Sequence, residues 1–339
     1  LDRANLFIVP LDAERRWFRY HRLFSDLIRQ RLRQTQPQLA STLHIRASEW
    51  YEQNGYTDEA IEHALRAKAY ERMARLIEEH IDALWGRGEH ATLHGWLDRL
   101  PAALVSSRPH LCILKAWYLF ASGQLDAAEQ LLRAAADTER SPTERDPASD
   151  LDRDKIRGRI ATIRAFLAGY RGDVPEIYKY ASQALGCLPE QDLSWRSAAT
   201  VSLGDAYGFS GNVAAAYPVR VEALAASKAV GNTYMILIAA VKLAVTLRQQ
   251  GWFEQSIEVC RRHVEYAQEI GMSHASEAGC LLAIWGEALA ELGDLDEALE
   301  RARRGVELAE RGKDLMIVGW SHLCLVRVLI SRGELSAAQ

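Results

Sequence analysis

No run of apolar residues in this chain approaches the ~18 that a membrane-spanning helix needs. No basic-then-apolar leader opens it, so no membrane partner is expected and the setting is read as cytoplasmic. The net charge is only −4, which gives no overall field for DNA or for an acidic bilayer. Cysteine is scarce. Cys112, Cys187, Cys260, Cys280 and Cys324 are scattered, odd in number and mostly set in apolar stretches, so they read as small core residues in a reducing compartment. There is no GxxxxGK[ST] loop, so ATP binding is not expected from these residues. His90 and His94 stand four apart, but a zinc site needs a third ligand and none is close, so no metal is expected. No nucleophile, base and glycine-rich elbow occur at a motif spacing, which argues against an enzyme.

What the chain does have is a repeat. GDLDEALERA at Gly293 recurs as GYTDEAIEHA at Gly55, GQLDAAEQLL at Gly123, GDVPEIYKYA at Gly172, GNVAAAYPVR at Gly211, GWFEQSIEVC at Gly251 and GELSAAQ at Gly333. From Gly172 the steps are 39, 40, 42 and 40 residues, the mark of a helical solenoid. An apolar helical run precedes each glycine, which can take the left-handed cap that ends it. A small residue follows five places later (Ala60, Ala128, Ala216, Ser256, Ala298, Ala338), and another often stands seven places before (Ala116, Ala165, Gly204, Ala244, Gly286). The two would face each other across a hairpin. One such hairpin cannot bury its apolar faces, so copies must stack. The Gly172 copy departs from the pattern with Ile177, and the last copy has Val326.

The chain divides unevenly. Residues 1–37 hold an apolar strand ending at Leu11, a polar turn, an arginine-aromatic strand from Arg16 to His21, and a helical pattern from Leu23, after which Pro37 breaks the chain. Residues 38–136 are helical, with one apolar face running from Ile61 to Leu84, and Leu100-Pro101 is a firm stop. Residues 137–155 carry two prolines, seven acids and four bases and are expected as an exposed polar loop. Residues 156–339 are the continuous array. The start on Leu1 and the stop within a copy at Gln339 suggest further domains on both sides.

LDRANLFIVPLDAERRWFRYHRLFSDLIRQRL resembles the close of the winged-helix part of MalT-like regulators, ATP-dependent bacterial transcription activators with a LuxR-type DNA-binding end. LHIRASEWYEQNGYTDEAIEHALRAKAYERMARLIE, WLDRLP and RPHLCILKAWYLFASGQLDAAEQLL continue the resemblance. It implies an all-α, right-handed superhelical solenoid of tetratricopeptide-like hairpins behind a winged-helix piece with a β-hairpin. It also implies an effector-sensing role, with ATP and DNA handled by other domains that would be partners of this one.

In such a superhelix the helix before each glycine lines the concave wall. That places Arg159, Phe166, Tyr170, Asp205, Arg248 with Gln249, Glu287 with Glu291, Trp320 and Arg327 towards the groove, with Trp195 and Arg196 at the mouth of their helix. Aromatics with a few charges suit a small polar inducer, or alternatively a regulatory protein or peptide held by a pure scaffold. Each of these residues has a plainer reading as solvated charge or packing. Tyr207, Trp285, Leu289, Trp50, Trp96 and Trp117 read as core. Arg15, Arg16 and Arg19 make the first hairpin basic, and a domain contact is the expected use, ahead of DNA.

Overall fold

The computed structural model of the chain describes residues 7–10, 12, 14, 18–86, 89–139, 147–312 and 314–338. These residues form two compact units, Leu1–His80 and Ile81–Gln339.

In the first unit, β1 (Ile8–Pro10) pairs antiparallel with β2 (Phe18–Tyr20), Val9 standing opposite Arg19. Phe7 stacks on Phe24 of α1 (Arg22–Thr35) at 4.3 Å. Pro37 opens α2 (Pro37–Gln53), where its missing N–H is no loss. Gly55 (φ 78°) turns the chain into α3 (Thr57–Arg66). Ser48, seven places before Gly55, is fully buried and donates to the carbonyl of Ala60 at 2.7 Å, so the paired small positions do meet across the hairpin. Trp50 is not core: two residues on from Ser48 it lies on the far side of α2, 47% exposed and stacked on Tyr56.

The expected single apolar face from Ile61 to Leu84 is cut by a break between α3 and α4 (Tyr70–Gly86). Lys68 adopts a left-handed φ of 57°, and Ala69 N–H reaches back to Ala64 C=O. That is a Schellman close made without glycine, which is why the pattern hid it.

In the second unit the hairpins follow in order: α5 (His90–Leu97) and α6 (Ala102–Ser106), then α7 (Pro109–Ala121) with α8 (Leu125–Glu139), and α9 (Pro147–Arg171) with α10 (Val174–Cys187). There follow α11 (Leu193–Phe209) with α12 (Val213–Val230), α13 (Thr233–Gln249) with α14 (Phe253–Glu269), α15 (Ser276–Glu291) with α16 (Leu295–Ala309), and α17 (Leu315–Ser331) with α18 (Leu335–Ala338). Each first helix touches the first helix of the next hairpin, so α7, α9, α11, α13, α15 and α17 form one inner layer and the second helices an outer one. The inner layer is correspondingly apolar on most sides; Met235 to Leu247 of α13 are all buried. Gly123, Gly172, Gly211, Gly251, Gly293 and Gly333 all have positive φ, between 70° and 89°. No described helix is long and apolar enough to cross a membrane.

The expected exposed loop over 137–155 is overturned at both of its ends. Residues 137–139 end α8 and α9 starts at Pro147, leaving 140–146 outside the described residues. Packing of the apolar second half of α9 carries its polar first half along in the same helix; Pro147 fits there because the first turn needs no N–H partner.

The start of α13 reaches back to the end of α4. Asn232, fully buried, caps α13 by accepting from Met235 N–H at 3.1 Å and donates from Nδ2 to Trp85 C=O at 2.8 Å, 147 residues away. Asn232→Ala is expected to destabilise the unit by about 2–3 kcal/mol, since a cap and a buried hydrogen bond are both lost. Asn212→Ala removes only an exposed cap on Ala215 and should cost about 1 kcal/mol. Urea unfolding of the two variants checks the difference.

Candidate functional site

The first half of the inner wall is aromatic. Trp195 of α11 stacks on Trp85 at 4.5 Å, and Trp117 stands edge-on to both at 5.1 and 5.9 Å. Phe166 meets Trp117 edge-on at 5.1 Å, and Tyr170 meets Phe120 at 6.1 Å. Arg159, 2% exposed, bonds Asp192 at 2.9 Å and Asp82 at 2.5 Å, with its guanidinium 5.5 Å over Trp195. Arg196 donates to the carbonyls of Leu185 and Leu188 at 3.0 and 2.8 Å, closing the end of α10. Arg159 and Trp195 therefore do not present the free groove faces expected of them. Their charge and ring are used inside the wall, because curvature brings Trp85 and Asp82 against them. Phe166 and Tyr170 are half-buried and keep part of their surface accessible.

The second half is a chain of ion pairs between neighbouring helices. Asp205 of α11 takes Arg220 of α12 at 2.6 Å and Lys242 of α13 at 3.0 Å. Burial pushes the Asp205 carboxyl up, but Lys242 and Arg220 outweigh it and hold it below its ordinary value. Gly204 leaves the space that Arg220 fills; a Cβ there would lie 2.9 Å from Nη1. Lys242 also sits 5.2 Å over the ring of Trp320. One repeat further on, Glu287 of α15 is 2% exposed and holds Arg248 of α13 at 3.0 Å and Arg327 of α17 at 2.7 Å. One carboxylate thus ties three successive inner helices, and Arg327 keeps a 45% exposed side chain beside it. Trp320 is half-buried; Gln249 and Glu291 are exposed. In the other unit Arg19 is exposed on β2, while Arg15 and Arg16 lie outside the described residues. His94 sits 3.5 Å from Asp98, and His90 packs between Trp85 and Tyr234.

Between the two halves the structure gathers groups that sequence reasoning missed. Tyr234 packs on His90 at 4.7 Å, with Tyr118 near. Among the described residues the buried Tyr118 hydroxyl has no hydrogen-bond partner, and burial lowers His90 to about 4, with a hydrogen bond from the Asn232 side chain opposing. Glu277 of α15 is 6% exposed and forms no ion pair among the described residues; burial raises it to about 7, its own N–H and Ser276 oppose, and Asp314 adds repulsion. Asp314, at the start of α17, is raised by burial against the pull of Ile317 N–H, Met316 N–H and Lys242. Burial and both carboxylates push Tyr234 well up. A polar residue in the first turn of an apolar helix reads as a cap, so nothing in the sequence singled out Glu277 or Asp314.

Glu277 makes a pH prediction. Its folded value lies above its unfolded one, so its contribution favours folding at low pH and is lost as pH rises from 4.5 towards about 7. The full separation corresponds to about 3 kcal/mol. His90 acts oppositely, costing stability as pH falls from 6.5 towards about 4. Glu277→Gln should therefore be more stable than wild type at pH 8 and show a weaker loss of stability between pH 6 and 8, measured by urea unfolding at several pH values.

Comparison with known proteins places these features. Residues 158–339 match the MalT-like TPR region, residues 1–40 the MalT winged helix domain, and residues 109–134 the tetratricopeptide repeat. The HTH-type transcriptional regulator MalT of Yersinia pestis (strain Pestoides F) is 29% identical over 309 residues, 91% of this chain and 33% of the relative. MalT of Yersinia enterocolitica is 28% identical over 308 residues, with the same shares. The chain thus spans about a third of the length of the curated relatives it matches. Among solved structures, a STAND protein with a tetratricopeptide repeat sensor from Pyrococcus horikoshii is similar in fold at a TM-score of 0.63 and 12% identity, covering 95% of this chain and 48% of that one. A Rap protein complexed with Competence and Sporulation Factor gives 0.52 and 14%, covering 84% and 77%. With its repeat array matched from Gly158 to Gln339 and its first 40 residues matched to the associated winged helix, this chain belongs to the MalT-like family.

Proposed function

We propose that this chain is the effector-sensing and partner-binding region of a transcription regulator, and that a small polar inducer binds on the inner wall of the repeat array. The observation that supports this most is the Glu287 bridge. A single buried carboxylate links α13, α15 and α17, and one of its partners, Arg327, is half exposed two turns along the same helix from Trp320. A ligand carboxylate, phosphate or hydroxyl group that competes for Arg327 would loosen one contact between repeats and make another. The curvature of an array sums small rotations between neighbours, so a ligand favouring one arrangement of that contact shifts the whole. The shift would pass to the nucleotide-binding and DNA-binding domains expected elsewhere in a longer protein, where ATP would act.

Calorimetric titration of candidate inducers into this chain tests the reading. Heat and a raised unfolding temperature in wild type, weakened at least tenfold in Arg327→Ala, is the expected result. No heat and no thermal shift with any metabolite would count against direct sensing. Binding of a polypeptide alone would turn the reading to the scaffold alternative.

A further inference from the structure

Among the described residues, Lys68 is the one non-glycine residue held at positive φ, 57°. A side chain in this region costs about 1 kcal/mol against glycine, and such strain concentrates at functional positions. The other left-handed turns among the described residues, such as Gly55, Gly123 and Gly211, all fall on glycine. The lysine side chain lines an open cleft of about 840 Å³ with Arg29 of α1, His44 of α2, and His63 and Arg66 of α3. Leu32, Ala40, Leu43 and Ala67 give the cleft apolar walls.

The cleft's two imidazoles are paired. His44 Nδ1 and His63 Nδ1 are 3.0 Å apart, so one donates to the other. Ser41 Oγ donates to Ala67 C=O at 3.1 Å, which fixes the turn that carries Lys68. Arg29 has Asp26 at 3.9 Å and Arg66 has Glu62 at 3.1 Å, both pairs exposed, while Lys68 forms no ion pair among the described residues. Glu59 and Glu62 also act on His63. Three permanent cations and two imidazoles therefore share one cleft with few acids.

We propose that this cleft binds a small organic phosphate, its phosphoryl group held by Arg29, Arg66 and Lys68 and its organic part by the apolar walls, with the His44–His63 pair taking up a proton as the dianion enters. Arg and Lys are the natural partners of a phosphoryl group, and a cleft of this size admits more than the bare ion. In the free protein burial, and then Arg66 and Arg29, hold His44 below its ordinary value; burial, and then His44 and Arg66, do the same for His63. A dianion reverses the sign of the local field. Binding therefore draws in a proton, and affinity rises as pH falls through the window between the free and bound values, by up to about tenfold per pH unit for one proton.

The test is calorimetry on the whole chain with glycerol phosphate and with sulfate, whose charge is fixed between pH 5 and 8. Sulfate is expected to bind more tightly at pH 6 than at pH 8, and glycerol phosphate, compared at pH 8 where it is a dianion, at least tenfold more tightly than sulfate. Lys68→Gly should weaken both at least fivefold while the unfolding temperature holds or rises, which a merely structural lysine would not give. His44→Ala should flatten the pH dependence for sulfate. If that variant fails to fold, the ring signals of His44 and His63 in wild type, followed by NMR, should titrate at higher pH once sulfate is added. Absence of heat with both probes, or Lys68→Gly binding as wild type does, overturns the proposal. Equal affinity for the two probes overturns the assignment of an organic ligand.

Discussion

Asp205→Ala is expected to destabilise the repeat array by about 3–5 kcal/mol, the range for removing one partner of a buried ion pair. The reason is what stays behind. Arg220 is 4% exposed and Lys242 9%, and Asp205 is the carboxylate that both share. Arg220 would keep its bond to Val201 C=O at 2.7 Å but would hold an uncompensated charge in a space shaped by Gly204. Adding Arg220→Met to Asp205→Ala removes one stranded charge and should recover part of the loss, a non-additivity that a double-mutant cycle reads directly. Since the Asp205 carboxyl titrates below its ordinary value when folded, its contribution is present near neutrality and is lost as pH falls through its folded value. The gap between wild type and Asp205→Ala should therefore narrow in acid. Urea unfolding followed by circular dichroism checks both. A variant within 1 kcal/mol of wild type at pH 7 would show that water reaches these charges. Neighbouring repeats are coupled through this triad, so the variant's transition should also broaden or split.

Gly305→Ala is expected to destabilise by about 3 kcal/mol, at the upper end of overpacking costs. A Cβ at Gly305 would lie 2.6 Å from Ala283 N and 2.6 Å from Gly279 O, and one at Gly279 would lie 2.6 Å from Gly305 O. These obstacles are backbone atoms of two packed helices, α15 and α16, and they cannot swing aside as a side-chain tip can. Gly319, inside α17 and exposed, has nothing within 4 Å of its Cβ position. Gly319→Ala should therefore stabilise by about 1 kcal/mol, the ordinary helix gain of alanine over glycine. Opposite signs for the same chemical change, read as shifts in unfolding temperature, are the decisive result. Equal signs would mean that α15 and α16 do not approach as closely as their glycines permit.

The sequence by itself determined the repeat. The glycines at 55, 123, 172, 211, 251, 293 and 333 all take the left-handed turn, and Ala60, Ala128, Ala216, Ser256 and Ala298 are all fully buried. Ser256 even donates to Ala244 C=O at 2.9 Å, joining the two small positions that the spacing paired. These features were legible because they rest on short-range sterics: which residue tolerates positive φ, and which leaves room between adjacent helices. The break at Lys68 escaped because it uses that same turn without glycine. The inner wall was legible only as a set of positions. Whether Arg159 faces a ligand or Asp192, whether Glu277 stands alone or paired, and which of two helix glycines touches backbone depend on partners in other helices. The Asn232–Trp85 contact spans 147 residues, and no local pattern encodes it. Tertiary structure decided these points because curvature accumulates over many repeats, and a small rotation at each junction sets which side chains meet across the interior.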